Sequence, residues 1–265
     1  MKSVSAGIDH IPGNAFSLKA NNKKCEVYVV GDFEHKWQTF WEFFMDYKGY
    51  VKVVEGLKNT AIIAITGLII GIIIGTLIAT VRVIPKYKTL PKVLNGFCSF
   101  YVWIFRGTPM VVQLLIFYYV LLPIWEINMT GVQVACMVFG LNSGAYISEI
   151  MRSGIQSVDN GQMEGGRAVG LSFATTMFHI VIPQAIKNIL PTLGNEFISL
   201  IKETSVVSFV GATDLYVAFN KIGTNSYEFM VPYLVMALIY LVIVIIISLL
   251  IKLMERRLKK SDRRN

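Results

Sequence analysis

Two stretches, Asn59–Val81 and Phe229–Ile251, each run for 23 residues without a charge. A helix of that length crosses a hydrocarbon core of about 30 Å, at 1.5 Å per residue. Inside lipid every backbone N–H and C=O must be bonded within the chain, so a helix is the form such a stretch takes. Two further uncharged runs follow the same rule, Gly107–Trp125 of 19 residues and Ile127–Ser148. With 54% hydrophobic residues and a mean hydropathy of +0.56, the chain is too apolar for an ordinary soluble domain. The expected class is an all-α membrane protein.

The net charge of +8 is not spread evenly. Arg82, Lys86, Lys88 and Lys92 follow the first run, and Lys252, Arg256, Arg257, Lys259, Lys260, Arg263 and Arg264 follow the last. Short basic loops stay in the cytoplasm. No basic domain stands apart from the spans, which excludes nucleic acid as a partner. The turn 123–130 carries Glu126 and no base, so it belongs outside. These signals predict five spans at about 59–82, 94–123, 128–149, 190–212 and 229–252, with the N-terminus outside and the C-terminus inside. Residues 53–254 form the transmembrane domain, about 150–189 a long cytoplasmic loop, and 255–265 a basic cytoplasmic tail.

Residues 1–52 form an extracytoplasmic extension. Its first part is polar and without clear periodicity. Trp37, Phe40, Trp41, Phe44 and Tyr47 then recur at helical spacing, and Trp and Tyr favour the membrane–water boundary. That predicts a helix lying in the interface, with the core of a small soluble domain as the alternative. The first thirty residues lack the charged and apolar regions of a cleavable signal peptide.

Three cysteines, Cys25, Cys98 and Cys136, have neither disulfide nor zinc spacing. His10, His35 and His179 are scattered, so no metal site is expected. No GxxxxGK[ST], HExxH or GxSxG pattern occurs. The chain therefore has no nucleotide-binding loop of its own, and nothing in it reads as an enzyme acting alone.

Three local features need a purpose. Gly67, Gly71, Gly75 and Ala79 repeat at four, a stripe that lets a neighbouring helix approach closely. The fourth span carries Glu196, Lys202 and Glu203. Charge at that depth is tolerated facing protein or a water-filled path. Glu196, Ser199 and Glu203 share a helix face with Lys202 beside it, so these four are the candidate pathway residues, with an ion pair between spans as the alternative for Lys202 and Glu203. Arg106 is expected near the inner headgroups as an anchor.

The third feature is Glu164–Pro183. Glu164 and Arg167 can pair three residues apart, Gly170 suits a left-handed helix end, and Ser172 suits a cap. Ala168, Val169, Leu171, Phe173, Met177 and Phe178 form an apolar set, and Pro183 is expected to close the second helix. Such a hairpin fits a partner's groove.

Glu164, Gly165, Gly166, then Gly170, Ile180, Ile182 and Pro183 keep the spacing of the EAA loop, whose pattern ends I-x-L-P. Arg106-Gly107-Thr108-Pro109 with Gln113, Ala145–Ile150 with Arg152, Ser153 and Gly154, Gly161-Gln162, Pro183-Gln184-Ala185, Asn195 and Lys202-Glu203-Thr204-Ser205 add to it. From about Val53 to the tail the chain resembles the permease subunits of ABC importers for polar amino acids, the histidine, glutamine, glutamate and arginine uptake type. Gly165 and Gly166 depart from the usual alanines and Ile182 from leucine.

The resemblance implies a type I ABC importer permease fold and a second permease chain, identical or related. It also implies two cytoplasmic ATPase subunits that use ATP, and an extracytoplasmic binding protein. Glu164, Gly165, Gly166, Arg167, Ala168 and Gly170 would then form the ATPase-docking element, with Glu164 meeting a basic residue. The competing reading is a carrier or channel driven by an ion gradient, with Glu196, Lys202 and Glu203 as its ion site.

Overall fold

The computed structural model describes residues 16–21, 24–29, 33–85, 87 and 89–262. His10, Lys86, Lys88, Arg263 and Arg264 lie outside them, as do the side chains of Cys25, Lys259 and Lys260. Within the N-terminal extension, strands β1 (Phe16–Asn21) and β2 (Lys24–Val29) pair antiparallel, with Phe16 opposite Val29. This two-stranded hairpin lies in the N-terminal extension, outside the transmembrane domain, which is all-α as expected.

Everything else is helical. Helix α1 (Phe33–Trp41) continues through a π turn into α2 (Gly49–Val83). Then come α3 (Thr89–Gly107), α4 (Met110–Ile116) and, after another π turn, α5 (Leu122–Ile124). Helix α6 (Gly131–Gln156) starts on a capping box in which the Thr130 hydroxyl accepts from Gln133 N–H and the Gln133 side chain bonds back to Thr130 N–H. Short α7 (Asn160–Ala168) and α8 (Phe173–Thr176) precede α9 (Ile182–Glu203). A 3₁₀ segment, Thr204–Val210, leads to α10 (Leu215–Ser226), capped by the buried Asp214, and α11 (Met230–Asp262) closes the bundle.

The expected small-residue stripe is the seam of the fold. Gly67 lies against Phe139, Gly71 against Ser143 and Gly75 against Ile147, so α2 and α6 run parallel. The contact is reciprocal, since Gly140 and Gly144 of α6 receive Ile70 and Ile74 of α2. At one end of the seam Arg82 bonds Glu149, which also accepts from Arg152 at 2.7 Å. A core of Ile63, Ala64, Leu114, Val134, Val138, Phe139 and Leu200 fills the other half.

The remaining helices alternate in direction. Gly154 meets Ile189 while Ser143 meets Glu196, so α9 is antiparallel to α6. Gly194 meets Ile251 and Thr204 meets Tyr240, so α11 is antiparallel to α9. Phe105 of α3 sits beside Asn142, and Val102 beside Ala145, which sets α3 antiparallel to α6. Helix α1 packs its buried Phe40 with Phe219 and Val231, and Lys36 pairs with Glu228 at 3.5 Å.

Among the described residues three helices are long and apolar enough to cross a membrane, those over Gly49–Val83, Gly131–Gln156 and Met230–Leu258. They overlap the first, third and fifth expected spans. The second is bent by 106° between α3 and the segment Met110–Ile124. The fourth expected span falls on α9 and the 3₁₀ segment, which are not among the helices long and apolar enough to cross. Pro183 does not close a helix as expected. It follows closely on the π turn Met177–Val181, within a helical run continuous from α8 into α9.

The seam predicts a sharp contrast between glycines. A Cβ on Gly75 would lie 2.7 Å from Ile147 Cγ2 and 2.9 Å from Ser148 N, whereas one on Gly96 would meet nothing within 4 Å. Over-packing of this kind costs about 1–3 kcal/mol, and more where backbone is the obstacle. Gly75→Leu is expected to abolish the monodisperse gel-filtration peak in detergent, and Gly96→Leu to keep it. Matching profiles for the two would refute the seam.

Candidate functional site

Proline breaks the second expected span. Pro109 has φ −63 and ψ 140, so α3 ends before it and α4 begins after it. The break exposes carbonyls that a membrane interior cannot solvate. Buried Gln113 supplies the bonds, donating from Nε2 to the Phe105 carbonyl at 2.8 Å and to the Thr108 carbonyl at 3.0 Å. Buried Asn142 donates to the same Phe105 carbonyl at 3.1 Å and to Gln113 Oε1 at 2.9 Å. This network lets irregular backbone persist in the bundle.

Beside the break is a polar recess of about 300 Å³, lined by Arg106, Thr108, Asn142, Tyr146 and Glu203 among others. That volume is at the small end of ligand pockets, which span about 300–1,000 Å³. The Arg106 guanidinium lies 5.2 Å from the centre of the Tyr146 ring, within cation–π range. Arg106 forms no ion pair among the described residues. Its neighbour in the recess, Asn142, is near the middle of α6.

The four expected pathway residues divide. Glu203 lines the same recess as Arg106. Glu196, two turns back on α9, accepts a hydrogen bond from Ser143 at 3.2 Å. Ser199 lies between them on the same face, half-buried. Lys202 is exposed, lines no part of the recess and makes no ion pair with Glu203. Asn142 and Ser143 escaped the sequence reading. Their only signal was two adjacent polar residues in an otherwise apolar span.

The loop hairpin forms as expected in most respects. Gly170 has φ 84 and ends α7, and the Ser172 hydroxyl accepts from Thr175 N–H at 3.1 Å. Glu164 and Arg167 do not pair; both are exposed, and neither forms an ion pair among the described residues. The two unusual glycines differ. A Cβ on Gly166 would lie 2.5 Å from Thr176 Cγ2, while one on Gly165 would meet nothing within 4 Å. Val169 is 77% exposed and Phe178 65%, so the hairpin presents apolar side chains outward.

Residues 67–260 match the model of the binding-protein-dependent transport system inner membrane component family. The chain belongs to this family. It is a membrane-embedded permease component of an ABC importer, not an enzyme in its own right. A putative glutamine transport system permease protein of Rickettsia bellii is 38% identical over 167 residues, 63% of this chain and 77% of that one. The arginine transport system permease protein ArtQ of Bacillus subtilis is 36% identical, over 62% and 75% respectively. A crystal structure of an amino acid ABC transporter with histidines matches at TM-score 0.74 and 37% identity, covering 81% of this chain and 98% of that one.

The hairpin geometry separates its two glycines experimentally. Gly165→Ala is expected to leave the permease folded and to favour α7 by about 1 kcal/mol. Gly166→Ala must push α7 off Thr176. Limited proteolysis within 160–176 would read the difference, with faster cleavage expected in Gly166→Ala alone. Equal cleavage of both variants would contradict the assigned packing.

Proposed function

We propose that this permease carries a polar amino acid into a bacterial cell through the recess between Arg106 and Glu203. A zwitterion carries one carboxylate and one ammonium group. An arginine without a carboxylate partner suits the first, and a glutamate lining the same recess suits the second. Asn142, Tyr146 and the Thr108 hydroxyl add neutral hydrogen-bonding groups. Glu196, bonded to Ser143 and on the same α9 face, continues the polar track through Ser199. The relatives named for glutamine and arginine transport agree with this substrate class.

The same reading has five crossings of the cytoplasmic membrane, N-terminus outside and tail inside. The alternating directions of α2, α3, α6, α9 and α11 support a five-pass reading, and the basic residues at 82–92 and 252–265 favour that side as the inner one. Residues 1–52 are then extracytoplasmic. The hairpin at 160–183 faces the cytoplasm, where its exposed Val169 and Phe178 enter a cleft of a separate ATPase and Glu164 meets a basic residue there. ATP is used by that ATPase, which binds one permease state better and so shifts the equilibrium. A second permease copy or relative covers the apolar faces of the bundle, and an extracytoplasmic binding protein delivers the amino acid.

Two variants test the two ends. Arg106→Ala is expected to lower uptake of labelled amino acid at least tenfold in proteoliposomes holding the whole transporter, with the ATPase still bound. Wild-type uptake by Arg106→Ala would remove the recess from the path. Glu164→Lys is expected to leave the chain inserted but to lose the ATPase on co-purification or to uncouple its ATP hydrolysis from uptake. Normal assembly and normal transport by that variant would defeat the docking role.

A further inference from the structure

A second recess, of about 370 Å³, lies at the other end of the molecule's chemistry. It opens where the π turn after α1 meets the start of α2 and the side of α10. Its wall is apolar, made mainly by Phe43, Tyr47 and Ile222, and its rim carries Lys48, Lys52 and Lys221. No acidic residue lines it. Lys52 pairs with Glu55 at 3.2 Å, one turn along the exposed face of α2, while Lys48 and Lys221 form no ion pair among the described residues. Tyr47 and Tyr50 are exposed beside it, as are Trp37 and Trp41 on α1. Such rings favour the headgroup layer, and lysine stems lie along apolar surface while their ammonium groups stay at the polar boundary.

We propose that this recess holds an anionic phospholipid, its phosphate between Lys48 and Lys221 and the upper part of an acyl chain against Phe43 and Ile222. A free phosphate or a soluble acidic metabolite would use the lysines but leave the apolar wall bare. A zwitterionic phospholipid would fill the wall, but its choline or ethanolamine cation would face the lysine rim. One anionic amphiphile satisfies both halves. The position gives the lipid a structural consequence. Lys48 is the left-handed joint between the aromatic segment and α2, and Lys221 belongs to α10, so a shared phosphate would bind that joint to α10.

The test uses the full chain purified in neutral detergent and offered phosphatidylglycerol, phosphatidylcholine or soluble glycerol phosphate. Bound lipid is counted by native mass spectrometry and thermal stability is read in parallel. Phosphatidylglycerol is expected to be retained at least fivefold more than phosphatidylcholine and to raise the melting temperature, while glycerol phosphate does neither. Lys48→Gln with Lys221→Gln should cut that preference at least threefold, and Lys48→Arg with Lys221→Arg should keep it. The basic tail adds a background common to all variants. Equal retention of the two lipids by the wild-type chain would overturn the proposal. So would an unchanged preference in the glutamine variant, or displacement of phosphatidylglycerol by glycerol phosphate.

Discussion

The parallel contact between α2 and α6 governs the bundle. In lipid the hydrophobic effect does not drive helices together, so close packing must come from shape. Glycines on both helices supply that shape. Gly67, Gly71 and Gly75 receive α6, while Gly140 and Gly144 receive α2. The two helices therefore approach along most of their shared length, and Arg82 bound to Glu149 finishes one end. Every other helix is placed relative to this pair. The α3–α4 segment leans on one side of it, and α9 crosses its face.

That rigid pair makes irregularity affordable elsewhere. The chain turns by 106° around Thr108–Pro109, and its freed carbonyls find Gln113 on α4 and Asn142 on α6. The broken segment holds Arg106 over Tyr146 and leaves a recess faced by Glu203. The loop hairpin has a similar internal logic at smaller scale. Gly170 turns the chain with a left-handed backbone, and Gly166 lets α7 close on Thr176. The compact hairpin that results keeps Val169 and Phe178 at its surface.

Much of this was legible beforehand, and the reasons are specific. The helical stripes at Gly67–Ala79 and the uncharged runs follow from periodicity and length alone. Gly170 and Ser172 carry local conformational preferences that neighbours cannot easily override, and both behave as expected. Pro183 misled because a π turn just before it lets the helical run continue through the proline. Glu164 and Arg167 misled because spacing permits a pair while two solvated charges gain little by forming it. Lys202 and Glu203 are consecutive, so on a helix they point about 100° apart, and only Glu203 reaches the recess.

The sequence by itself determined which segments are helices, where the chain is apolar, and which turns carry positive charge, because each of these depends on residues close together along the chain. The tertiary structure alone decided that Arg106, Asn142, Tyr146 and Glu203 share one recess. Those four come from three helices, and their meeting depends on how α3 and α9 each pack antiparallel against α6. Helical periodicity says which face of a helix is polar. It holds no information on which other helix that face will meet.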